Sequence, residues 1–329
     1  MPESLTQKEA IRNALAPIAF EMSEVERLIG EQVQSGVGHV EEIARYITQA
    51  GGKRMRPALL ILMARAMGAD PEKAAYLGAT IELLHTSTLM HDDVVDEGKM
   101  RRGRPTANAR WGNPEAVLVG DFLYTRSFQM MVRLGNLAVM EALSDAANRL
   151  SEGEVLQLGN AHNPDVSEAQ YFAVIERKTA CLFVAAAKMA AAIAPATPTQ
   201  AQACADYALH LGNAFQIADD VLDYAGEASL TGKALGADLR EGKVTLPLFY
   251  AMQQSSPQER ETIRDAIRKG EGDFQHIHAI VVRSGALALC QAKAHEEARL
   301  GERAIGQLPG GLFTQSLIKF LAFAVDRDR

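Results

Sequence analysis

Residues 83–103 read LLHTSTLMHDDVVDEGKMRRG, and residues 211–233 read LGNAFQIADDVLDYAGEASLTGK. Each is an apolar helical stretch that ends in DDVxD and runs into a loop carrying cations. The aspartate pairs begin at Asp92 and Asp219, 127 positions apart. Such an echo predicts two like helices facing each other in one bundle. Around them, apolar residues recur at three- and four-residue spacing over 8–35, 39–49, 71–97, 114–133, 139–158, 168–194, 199–224, 257–269, 275–283, 286–306 and 311–326. Strand-like alternation is nearly absent. Breaks fall at GNPE, HNPD, APATPT, YAGEASLTGKALG and QLPGG, and Pro114, Pro164 and Pro198 are predicted at helix starts. The reading is an all-α fold of ten or more helices. No linker is long enough to divide the chain, so one domain over residues 1–329 is expected.

Composition narrows the function. Hydrophobic residues make up 47% and charged ones 23% of the chain, as in an ordinary globular protein. A net charge of −7 argues against nucleic acid as a partner. Cys181, Cys204 and Cys290 are far apart and form no CxxC, which suits a reducing compartment and free thiols. The most apolar stretch, CLFVAAAKMAAAIA, is short and interrupted by Lys188, so it reads as a buried helix rather than a membrane span. The N-terminal stretch carries acids early and reads as no signal peptide. A cytoplasmic location is the expectation.

On a helix, Asp92 and Asp96 lie one turn apart on one face, with Asp93 displaced sideways; Asp219, Asp223 and Asp220 repeat the pattern. Carboxylates at a helix C-terminus oppose the macrodipole, so the arrangement costs stability unless a cation is present. A set of several oxygens without sulfur or imidazole suits Mg²⁺, which is held by one or two carboxylates together with water and substrate phosphate. A single DDxxD is commonly a solvated helix end. Two copies, each closing an apolar helix and each followed by basic residues, make that reading fail. Lys99, Arg101, Arg102 and Arg104 follow the first motif at once. Arg and Lys would take the outward oxygens of a diphosphate bridged to the aspartates by metal.

A second anion site is indicated by GGKRMRP at 51–57, a glycine turn with three cations ahead of an apolar helix. It lacks the spacing of a P-loop. His85, about two turns before Asp92, lies on nearly the same face. Lys178, Thr179 and Gln216 sit in mainly apolar helices, where a buried polar role is expected, and Lys233, Asp238 and Lys243 lie in the segment after the second motif.

GGKRMRP, LLHTSTLMHDDVVDEGKMRRGRPT, VGDFLYTRSFQMM, EGEVLQL, ERKTACLF, FQIADDVLDY and LGADLREGKVTLPL, in this order, resemble the trans-isoprenyl diphosphate synthases, the polyprenyl synthetase family. The likeness is greatest to bacterial members that make octaprenyl diphosphate for quinone side chains. It implies one all-α bundle around a deep central cavity, commonly a homodimer, with isopentenyl diphosphate and an allylic diphosphate as substrates and Mg²⁺ as cofactor. It also implies roles. Asp92, Asp96, Asp219 and Asp223 would hold metal, with Asp93 and Asp220 in support. Arg101, Lys178, Lys243 and Lys233 would contact the allylic diphosphate. Lys53, Arg56, His85 and Arg102 would hold isopentenyl diphosphate, and Thr179 and Gln216 would face the developing allylic cation.

Product length is read from the helix before Asp92. It would run roughly 39 Å from residue 71 to residue 96 and could line a long tunnel. Ser87 and Thr88, five and four residues before Asp92, are not aromatic and leave that tunnel open. Leu84 and Ile81 would be its deeper walls, and Phe128 and Met131 on the 114–133 helix its floor. A shorter-chain geranylgeranyl-type synthase and a non-catalytic subunit of a heteromeric synthase are the competing readings. A terpene cyclase would lack the GGKRMRP site.

Overall fold

The computed structural model describes residues 7–225 and 236–325. Helices dominate, as the periodicity predicts. They include Ala19–Gln32, Gly38–Thr48, Met55–Ala66, Pro71–Val95, Asn113–Leu134, Leu137–Asn160, Pro198–Ala225, Ala286–Ile305 and Leu312–Val325. Helix Pro71–Val95 is the central member. Asp70 caps it by accepting from the N–H groups of Glu72 (2.9 Å) and Lys73 (3.0 Å), and Pro71 takes the first helical position. Two of its buried threonines return their hydroxyls to its own backbone: Thr80 donates to Tyr76 O and Thr86 to Glu82 O, both at 2.8 Å. The helix can therefore be buried nearly all round without stranding these groups. It ends at the aspartates, where Asp96 N donates to Asp92 O and Glu97 turns to φ 50°.

Packed against it are Ala19–Gln32, Met55–Ala66 and Asn113–Leu134, and the main core continues into Cys181–Ala192, Pro198–Ala225 and Leu312–Val325. A second apolar cluster, with Tyr224, Leu239, Leu248, Ile263 and Ile277, lies beneath the end of the second aspartate helix. Among the described residues no helix is long and apolar enough to cross a membrane.

Local features depart from the periodic reading, and the 8–35 stretch is divided by a 3₁₀ turn over Ala16–Ile18. Pro164 lies in a turn; the following helix starts instead at a capping box in which Ser167 and Gln170 satisfy each other's backbone N–H groups. The residues read as one helix over 168–194 are divided into Glu168–Ile175, a π-helical turn over Glu176–Ala180, and Cys181–Ala192. The cationic loop after Asp96 is a two-residue antiparallel ladder, Met100↔Pro105 and Arg101↔Arg104, closed by Arg102 and Gly103 at φ 52° and 74°. Positive φ at both central residues matches the twist of a hairpin.

Candidate active site

Both aspartate motifs reach one cavity of about 240 Å³. Asp92 and Asp96 from the first helix line it, with Arg101 from the hairpin, Lys178 and Thr179 from the π-turn, and Gln216, Asp219 and Asp220 from the second helix. The segment after the second motif adds Asp238 and Lys243. Residues 211–223, distant in sequence, thus meet residues 89–101 across one void.

The aspartates divide by environment. Asp93 is buried and turned away from the cavity: Arg101 donates to it through Nε (2.9 Å) and Nη2 (2.8 Å). It aims the arginine and does not face the void. Asp223 accepts from the backbone N–H groups of Ala237 and Asp238, each at 3.2 Å, and holds the segment that carries Lys243. It does not line the cavity, unlike Asp219. Asp220 accepts from Tyr171 Oη (2.6 Å) and Gln216 Nε2 (2.8 Å), and Gln216 Oε1 accepts from Thr179 at 2.7 Å. Lys178 donates at 2.7 Å to both Glu154 and Gln157. Lys243 stands 3.4 Å from Asp96 and also pairs with Glu241. Lys233 lies outside the described residues.

Charge is crowded here. Burial pushes Asp92 up to about 7, helped by the charges of Glu154 and Asp96. Burial likewise pushes Asp220 up to about 7, against its hydrogen bonds and with the charges of Asp219 and Asp223 adding to the rise. Asp238 is raised well above the usual carboxylate range, again by burial and then by Asp220 and Asp223. Glu154 Oε1 is buried and has no hydrogen-bond partner. The carboxylates of this wall, Asp92, Asp96, Asp219 and Asp220, offer oxygen alone, and their mutual repulsion fits a bound divalent cation. Among the described residues no group of three carboxylate, imidazole or thiol side chains is close enough to hold a cation alone.

The second anion site is built from the glycine turn and the hairpin. Arg102 donates to Gly51 O, and its guanidinium covers Gly52 so closely that a Cβ there would come within 2.7 Å of it. Arg56 Nη1 donates to His85 Nε2 at 3.0 Å, and its guanidinium lies 4.7 Å from the Phe183 ring centre. The Arg56 Nε is buried without a partner. Burial and the neighbouring Arg56 and Arg102 hold His85 well below the usual histidine range, so the ring is a neutral acceptor. Arg54 belongs to the scaffold: it pairs with Glu26 (2.6 Å) and Glu82 (2.8 Å). Lys53 lies 5.8 Å from the Phe323 ring centre. Lys53, Arg56 and His85 line neither the main cavity nor a smaller one bounded by Arg102, Glu82 and Thr86, which shares Leu89 and Arg101 with the main cavity. The two cavities are neighbours across those side chains, and Arg102 is the member of the second anion site that reaches the smaller one.

The tunnel positions are placed differently from the expectation. Ile81, Leu84 and Ser87 are wholly buried and Met131 nearly so; Thr88 donates to His85 O at 2.9 Å, and Phe128 is half-buried against Tyr124. The main cavity reaches Leu89 and includes none of them. They are packed core in this conformation, because the helices bearing them lie side by side. Sequence reasoning assigned no role to Glu154, Gln157 or Tyr171. EGEVLQL carried the signal for the first two, with acceptors three residues apart on an otherwise apolar helix face.

The polyprenyl synthetase family model matches residues 37–283. The chain belongs to the polyprenyl synthetase family. It is 45% identical to the octaprenyl diphosphate synthase of Escherichia coli (strain K12), over 94% of this chain and 97% of that protein. It is 44% identical to the all-trans-nonaprenyl-diphosphate synthase (geranyl-diphosphate specific) of Rhodobacter capsulatus, over 96% of this chain and 98% of that one. The polyprenyl synthase of Caulobacter crescentus CB15, solved with calcium and isoprenyl diphosphate, superposes with a TM-score of 0.93 at 38% identity, covering 97% of this chain and 98% of that one. For a polyprenyl synthetase, the pairing of two acidic helix ends with two cationic patches acquires a definite chemical sense.

Proposed function

We propose that the protein is a long-chain all-trans polyprenyl diphosphate synthase, making octaprenyl (C40) diphosphate for a quinone side chain from isopentenyl diphosphate and an allylic primer such as farnesyl diphosphate. The carrying observation is that both aspartate motifs line one cavity, with a smaller cavity lined by Arg102 and Arg104 sharing its Leu89–Arg101 wall. Asp92, Asp96 and Asp219 would hold Mg²⁺, with Asp220 behind them. Held there, Mg²⁺ would supply charge neutralisation for the diphosphate and Lewis-acid stabilisation of it as a leaving group.

The chain's own residues do the rest. Arg101, Lys178 and Lys243 take oxygens of the allylic diphosphate and stabilise it as it leaves. Asp93 orients Arg101; Glu154 and Gln157 orient Lys178. Arg56, Arg102 and Lys53 hold isopentenyl diphosphate beside it, with neutral His85 fixing Arg56, so the encounter becomes effectively intramolecular. The oxygens of Thr179 and Gln216 face the allylic carbon as its charge develops. The departing diphosphate itself takes the last proton. The tail would extend along Ser87, Leu84 and Ile81 once these side chains part. A homodimer in the cytoplasm belongs to the same reading, and the buried thiols of Cys181, Cys204 and Cys290 suit a reducing compartment.

A second reading, a geranylgeranyl-type synthase, is favoured by the closed packing beyond Leu89. The deciding experiment incubates the protein with farnesyl diphosphate, labelled isopentenyl diphosphate and Mg²⁺ and sizes the dephosphorylated products. A C40 product supports the first reading and a C20 stop the second. No elongation refutes both and favours a non-catalytic subunit.

A further inference from the structure

The π-turn Glu176–Ala180 delivers Lys178 to one neighbouring helix and Thr179 to another. An inserted residue rotates the two flanks of a helix by about 100° relative to each other, which is how adjacent residues reach opposite walls. Such a turn needs an external hold, because its hydrogen bonding is weaker than that of an α-helix. Two glycines supply the space for that hold. A Cβ at Gly153 would lie 2.7 Å from Arg177 Cβ and 2.9 Å from Lys178 N. A Cβ at Gly212 would lie 2.5 Å from Ala180 Cα and 2.6 Å from Ala180 Cβ. The turn is thus gripped nearly backbone to backbone on two sides.

The acceptors of the turn's side chains lie close by on the same two helices. Glu154 and Gln157 follow Gly153 and receive Lys178; Gln216 lies one turn after Gly212, receives Thr179 and donates to Asp220. We propose that Gly153 and Gly212 are positioning residues: they seat the π-turn so that Lys178 and Thr179 address the allylic diphosphate. Neither touches substrate. The proposal rests on the prenyl-transfer reading above, which elongation by the unaltered protein tests separately.

The test measures kcat and both KM values per folded molecule for Gly153→Ala, Gly212→Ala, Ala180→Gly and, as a control, Gly159→Ala, where an added Cβ meets nothing within 4 Å. In the glycine clamp variants, kcat is expected to fall about tenfold or more, since small misplacements of reacting groups cost that much. KM for farnesyl diphosphate rises several-fold, while KM for isopentenyl diphosphate stays within twofold, because Arg56, His85 and Arg102 lie on other elements. A purely structural role would lower the folded fraction and move neither KM. Ala180→Gly adds no clash and keeps the test open if the clamp variants do not fold; it should raise the farnesyl KM alone. Elongation by the unaltered protein, with kcat and farnesyl KM unchanged in the folded variants, overturns the proposal.

Discussion

The Lys243 ammonium stands 3.4 Å from the Asp96 carboxylate, joining the segment after the second aspartate motif to the end of the first. Burial opposes this charge, yet Asp96 and Glu241 together raise the lysine's affinity for its proton. The lysine occupies the space between the two motifs, where metal and diphosphate would meet. Lys243→Ala is therefore expected to raise KM for the allylic diphosphate at least tenfold and to tighten Mg²⁺ binding in the absence of diphosphate. Steady-state kinetics and a Mg²⁺ titration followed by calorimetry check the two halves.

Asp92 and Asp220, each pushed up to about 7, set a pH dependence of stability. Their folded affinities for protons exceed the unfolded ones, so the folded state binds more protons between about pH 4 and pH 7. The stability they contribute is full below pH 4 and is lost as pH rises through about 7. The metal-free protein should thus melt at a lower temperature at pH 8 than at pH 6, and the gain in Tm on adding Mg²⁺ should be larger at pH 8. Asp92→Asn should flatten both trends in differential scanning calorimetry.

Asp93 and Asp96 are three residues apart and should fail differently. Removing the carboxylate of Asp93 leaves Arg101 without its bidentate partner, at a cost of about 3 kcal/mol; Asp93→Ala should lower Tm by several degrees as well as lowering activity. Asp96→Asn should leave Tm within a degree or two while lowering kcat a hundredfold or more. Thermal melts beside product assays separate a residue that aims an arginine from one that faces the cavity.

Ser87 is wholly buried and its hydroxyl has no hydrogen-bond partner. Ser87→Ala should therefore be neutral or slightly stabilising and leave product length unchanged. Ser87→Phe forces a ring into packed core, costing about 1–3 kcal/mol, and should shorten the product. An unaltered product from a folded Ser87→Phe protein would remove this helix from the tunnel.

The helical class was legible because burial of apolar faces at a period of 3.6 is a local property of the chain. The carboxylates of Asp92, Asp96 and Asp219 were legible because two acidic ends on apolar helices are costly without a cation. What Asp93 and Asp223 do was not: adjacent carboxylates on a helix point in different directions, and only the packed hairpin and the 236–243 segment decide that Arg101 takes one and two backbone N–H groups take the other. The π-turn was equally hidden, since its hold comes from glycines on two other helices. So were the closed walls at Ile81, Leu84 and Ser87, because residue size along one helix says nothing of how near its neighbour lies. Periodicity and charge repulsion act within a few residues, so the sequence by itself determined the elements and the chemistry at their ends. Which carboxylate meets the cavity, which lysine it meets there, and where that cavity stops are contacts between distant segments, and the tertiary structure alone decided them.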